Sequence, residues 1–101
     1  MKWLWTWGGR CFGYRDEDNL WTYDGKHVGR FVNNEVYAPN GAYLGEITDN
    51  NRLITDIAKK NRHSTSFTPD ANRMGYVKYV DYVGYVMLLG YEDFPKIEGK
   101  R

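Results

Sequence analysis

The sequence predicts an all-β domain of antiparallel hairpins, and three observations predict it. The first is a phrase written three times at a spacing of sixteen: Trp5-Thr6-Trp7-Gly8-Gly9-Arg10-Cys11-Phe12-Gly13, Trp21-Thr22-Tyr23-Asp24-Gly25-Lys26-His27-Val28-Gly29 and Tyr37-Ala38-Pro39-Asn40-Gly41-Ala42-Tyr43-Leu44-Gly45. The second is a second turn series at the same period, Glu17-Asp18, Asn33-Asn34 and Asp49-Asn50. The third is composition: aromatics reach 17%, most of them the Tyr and Trp that favour strands, beside 11 Gly. No stretch reads as a long helix.

Each copy of the phrase has an aromatic, a turn ending in Gly, an apolar residue seven places after the aromatic, and then a Gly. Asp24-Gly25 and Asn40-Gly41 are strong hairpin signals, because a type I′ turn needs positive φ at both central residues. Two-residue loops set Trp5 opposite Phe12, Trp21 opposite Val28 and Tyr37 opposite Leu44. Tight turns at the second series set Phe31 opposite Val36 and Arg30 opposite Tyr37. One face then collects Trp5, Phe12, Trp21, Val28, Tyr37, Leu44 and Leu53. The other collects Leu20, Phe31, Val36, Ile47 and the glycines Gly13, Gly29 and Gly45. Gly29 falls opposite Leu20 and Gly45 opposite Val36, where a missing side chain admits close approach of a neighbouring strand.

A fourth unit is expected from Leu53, sixteen after Tyr37, with its tip stretched by a polar insertion over 56–73 and its return at Met74-Gly75-Tyr76-Val77. Insertions at hairpin tips cost little stability. The run Tyr76-Val77, Tyr79-Val80, Tyr82-Val83, Tyr85-Val86 has a period of three, which a simple alternating strand does not. It is expected to close the structure against Trp3-Leu4-Trp5. Gly90 to Pro95 is expected to form an ordered lid, and 96–101 a frayed tail.

With 101 residues there is room for one domain, taken as 1–101. Fourteen Lys and Arg face 13 Asp and Glu, so no net basic footprint for nucleic acid or an anionic membrane is present. The longest apolar run, Tyr85 to Leu89, is far short of the ~20 residues of a membrane span. A single cysteine, Cys11, forms no internal disulfide. The chain reads as soluble and cytoplasmic.

Four hairpin units with Asn/Asp-Gly and apolar-Gly signals, ending in Gly90-Tyr91-Glu92-Asp93-Phe94-Pro95, resemble the bacterial proteins called four-fold beta-flower. The resemblance spans about residues 3–95. It implies a small flower of four hairpin petals, and it supplies no established activity and no catalytic residues. The first petal departs from the pattern, with Gly8-Gly9 in place of Asn/Asp-Gly.

Candidate chemistry is sparse. Cys11 and His27 share one repeat position, so a Cys–His nucleophile pair on adjacent petals is conceivable, but variable side chains at a tolerant position explain the slot better. Asp16-Glu17-Asp18 lies where a turn is required and lacks the spaced ligands of a calcium loop. No His/Cys spacing suits a metal, and no cofactor motif is found. Lys59, Lys60, Arg62 and His63, beside Ser64-Thr65-Ser66, form the most function-like segment, a polar contact loop on a rigid scaffold. Trp5, Trp21 and Tyr37 are expected in the core, whereas Tyr14, Tyr43 and Tyr91 are expected on the surface. The expected function is that of a non-catalytic module for an unknown protein partner, with self-association through its edges. The alternative is a carbohydrate or cell-envelope binding module using exposed aromatics. A nucleic-acid accessory role is weaker and needs affinity that falls steeply with salt.

Overall fold

In the computed structural model, which describes residues 1–97, the chain is all-β. The strands are β1 (Lys2–Thr6), β2 (Cys11–Asp16), β3 (Asn19–Thr22), β4 (His27–Val32), β5 (Glu35–Tyr37), β6 (Tyr43–Thr48), β7 (Arg52–Asp56) and β8 (Tyr91–Asp93). Neighbours in sequence pair antiparallel throughout. An odd number of alternating strands leaves the first and seventh pointing the same way. The barrel therefore closes with a parallel pairing, Trp5 to Arg52 and Thr6 to Leu53. Where β1 leaves this edge of β7, β8 takes it over, pairing Ile54 to Asp93 and Asp56 to Tyr91.

The hairpin turns correct the expected register. Only Gly9, Gly25 and Gly41 have positive φ in these tips, near +99°, +96° and +92°, so the turns are not type I′. Each tip has a three-residue loop: Gly25 N–H donates to Thr22 O and Thr22 N–H to Lys26 O, with the same pattern at Thr6–Arg10 and Ala38–Ala42. A type I turn followed by a left-handed Gly fits these bonds, and it accommodates Pro39 at its first central position. The extra loop residue shifts the pairing by one, so Trp5, Trp21 and Tyr37 lie opposite Cys11, His27 and Tyr43. A bulge at Phe12, Val28 and Leu44 then restores the expected register, with Leu20 opposite Gly29 and Val36 opposite Gly45. The turns at Glu17-Asp18 and Asn33-Asn34 have two residues as expected, pairing Arg30 with Tyr37 and Phe31 with Val36. The third of that series has three residues, Asp49–Asn51.

The bulges also rearrange the faces. Leu4, Leu20 and Val36, and with them Phe12, Val28 and Leu44, turn into the barrel at a spacing of sixteen, joined by Phe31, Ile47 and Leu53. Trp5, Trp21 and Tyr37 are buried as well, but Trp5 and Trp21 are covered from outside by Tyr82 and Arg73, and Tyr37 packs edge-on to Tyr43. The recurring Gly has the packing role expected of it. A Cβ on Gly29 would stand 2.8 Å from a Val36 methyl, and one on Gly45 would meet the Phe94 ring at 2.7 Å.

Met74-Gly75-Tyr76-Val77 does not return as a strand beside β7, whose antiparallel partner further along is β8. Residues 64–89 instead form an irregular belt across the three hairpin tips, bound backbone to backbone in reverse order. Ser64 and Phe67 N–H donate to Gly41 and Pro39 O, Arg73 and Tyr76 to Gly25 and Tyr23 O, and Tyr82 and Tyr85 to Gly9 and Trp7 O. The donors step by nine while the acceptors step by sixteen. The Tyr run lies against the β1 aromatics as expected, although as belt and not as strand: Tyr79 meets Trp3, Tyr82 stacks on Trp5 at 4.3 Å, and Tyr85 meets Trp7. Gly90 to Pro95 acts as a lid, with Phe94 buried edge-on to Phe12 at 5.3 Å. In the expected tail, Ile97 packs against the core, while residues 98–101 lie outside the described part.

Candidate functional site

The expected contact loop is strapped to the barrel. Asp56 accepts from Ala58 N–H and starts a short 3-10 turn, Ile57–Lys59. That turn sets Lys59 Nζ 3.1 Å from Glu35 Oε2 and 2.8 Å from Glu46 Oε1. Arg62 joins Glu35 at 2.8 Å and Lys60 joins Glu92 at 2.6 Å. His63 is exposed and bridges Ala42. Tyr37 and Tyr43 donate their hydroxyls to Glu35 and Glu46.

This cluster of two carboxylates, two cations and two phenols has the residue types of an acid–base site, but its electrostatics run the other way. The Tyr37 hydrogen bond, with Lys59 and Arg62 beside it, lowers the Glu35 carboxyl. The two glutamates raise Lys59, and burial raises Tyr43 and Tyr37. Every shift leads away from neutrality, whereas proton transfer at pH 7 wants groups tuned toward it. The four charges balance, and the cluster serves as a clasp between β5, β6 and the start of the belt.

The Cys11–His27 pair has no free base. His27 is buried and stacked on Trp21 at 4.9 Å. Its Nδ1 accepts the Asp70 N–H at 2.8 Å and so carries no proton; Nε2–H donates to Gly29 O at 3.1 Å. Burial raises the Cys11 thiol, which disfavours a thiolate. Of the acidic turn, Asp16 pairs with Arg73 at 2.8 Å and Asp18 with Arg15 at 3.2 Å.

Burial also holds the His27 imidazole below its ordinary value of 6.5, against a smaller opposing pull from Asp70. As pH falls below about 6.5 the unfolded chain takes up this proton before the folded one, so folding loses stability. The melting temperature is expected to fall more steeply between pH 6.5 and 5 in the wild type than in His27→Gln. Parallel curves would refute that role for His27.

Two of the three tyrosines expected on the surface are buried, Tyr14 and Tyr43; Tyr91 is half-buried. Their place is taken by the belt. Met74, Val77, Val80, Val83, Val86 and Leu89 are between 75% and 101% exposed, one residue in three. Tyr76, Tyr79, Tyr82 and Tyr85 are 41–52% exposed and back this row against Trp3, Trp5 and Trp7. A period of three belongs to extended, threefold backbone and not to a pleated strand. The row was foreshadowed in the sequence by Gly75-Tyr76-Val77 and Gly84-Tyr85-Val86, nine apart. A second feature, a cavity of about 330 Å3 between the first two tips, is lined by Arg10, Cys11, Asp24, Lys78 and Lys96 among others.

Fold and surface together define a class: a small closed β-barrel wrapped by an outer belt with an apolar face. Comparison with protein-family models, with curated proteins and with solved structures finds no match for this chain. Among the described residues, no helix is long and apolar enough to cross a membrane.

Proposed function

We propose that this protein is a non-catalytic interaction domain that offers the belt to a protein partner. The observation carrying this reading is the exposed row Met74, Val77, Val80, Val83, Val86 and Leu89. Isolated apolar side chains are ordinary on a surface, but a contiguous row is the mark of a docking face. The row also rests on a ladder of Tyr and Trp rings, so little ordering cost attends its use. The contact loop Lys59, Lys60, Arg62 and His63 supports the face indirectly, by anchoring the start of the belt. In this reading the four-fold beta-flower pattern spans about residues 3–95. Its fourth petal is β7 with β8, and the belt is the long connection between them.

The test compares proteins retained by the wild type with those retained by a Val77→Ser/Val80→Ser/Val83→Ser variant that keeps its melting temperature. Binding lost in the variant supports the reading. An unchanged set of bound proteins, or saturable quenching of Trp fluorescence by a glycan, would replace it with the carbohydrate-module alternative or with another surface.

A further inference from the structure

We infer that the belt row is a homodimer interface, in which two copies meet antiparallel about a two-fold axis through Asp81 and Tyr82. The inference rests on the interaction reading above and names its partner as a second copy of this chain.

The row reads nearly the same from either end: Met74, Val77, Val80, Val83, Val86, Leu89. Laid antiparallel on itself, it sets Met74 opposite Leu89, Val77 opposite Val86 and Val80 opposite Val83. That is the self-complementarity an isologous contact requires. Its size also fits. The six row residues, each at least three-quarters exposed, carry on the order of 500 Å2 of apolar surface. Four tyrosines, each offering about half of a 150–250 Å2 surface, add roughly 350 Å2. The total matches the ~800 Å2 per partner of a stable interface.

Charge does not oppose the contact. The only charged residues between Met74 and Leu89 are Lys78 and Asp81, paired to each other at 2.7 Å, so the two faces meet as neutral surfaces. The backbone is already committed inward, because Val80, Val83 and Val86 carbonyls accept from the Trp5 indole, Arg52 and the Trp7 indole. The valine side chains are left as the outward contact, without a strand edge to pair.

Sedimentation equilibrium or light scattering tests the inference on the whole chain. The wild type is expected at twice 11.9 kDa at micromolar concentration. Val80→Arg and Val83→Glu are each expected to be monomeric. An equimolar mixture of the two is expected to return to dimer, since the antiparallel register sets Arg at 80 of one copy against Glu at 83 of the other. A wild type that stays monomeric at about 100 μM, or a dimer that survives both substitutions, overturns the inference. So does a monomer that sediments with neutral phosphatidylcholine vesicles through the same valines. A monomeric wild type that still retains other proteins through the row leaves the interaction reading standing and removes the dimer alone.

Discussion

Replacing Arg52 with alanine is expected to lower the unfolding free energy by about 3 kcal/mol, measured by urea denaturation. Arg52 is 4% exposed and lies where three parts of the chain converge. Its guanidinium donates to Trp7 O at 3.2 Å and, from Nη2, to Val83 O at 3.1 Å, and it lies 4.0 Å above the Tyr85 ring. One side chain thus ties β7 to the end of β1, across the closing seam, and to the belt. Hydrogen bonds from a charged donor contribute about 1.5–3 kcal/mol each, and a desolvated cation over a ring about 2 kcal/mol. The cost of burying the charge offsets part of that sum. Arg52→Lys keeps the charge but not the fork, and is expected to recover only part of the loss. An Arg52→Ala protein with an unshifted midpoint would show that the seam does not depend on this residue.

Phe94→Ala is expected to cost about 3–5 kcal/mol, with Phe94→Leu much milder. The ring is nearly inaccessible, meets Phe12 edge-on, and occupies the space that the absent side chain of Gly45 leaves. It enters from the lid after β8, far from its neighbours in sequence, and fills the barrel where the strands alone would leave a void. Equal stability of the alanine variant and the wild type would mean that the barrel is filled without the lid.

The sixteen-residue phrase made the strands, the two-residue turns at Glu17-Asp18 and Asn33-Asn34, and the packing glycines Gly29 and Gly45 legible in advance. The tips depart from the expected type I′ turn because Asp-Gly and Asn-Gly serve two turn types. Pro39, which pre-sets the first central position of a type I turn, was the local signal that distinguished them. The bulges at Phe12, Val28 and Leu44 left no mark of their own, since a bulge is fixed by the pairing around it. The phrase at Met74 resembled the start of a return strand because apolar-Gly-aromatic serves both the strand and the belt. What separated them was the period of three that follows it, which no pleated strand sustains on one face. The basic loop reads from sequence as a free contact loop because its partners, Glu35, Glu46 and Glu92, are scattered across three strands and become neighbours only in the barrel.

The two mismatched repeats bear on the order in which the molecule assembles. Each step along the belt adds nine residues on one side and sixteen on the other, so the loops closed at Gly41, Gly25 and Gly9 lengthen by 25 at each step. Closing the longest first, from Tyr82 to Gly9, costs about 1 kcal/mol more entropy than closing the shortest, from Ser64 to Gly41. Once that shortest contact is made, the next is only one step away. Loop entropy therefore favours assembly of the belt from the third hairpin back toward the first, against the direction of synthesis. During synthesis Trp5 emerges long before Tyr82, which stacks on it, so the hairpin that carries Trp5 is the one left longest without its part of the belt.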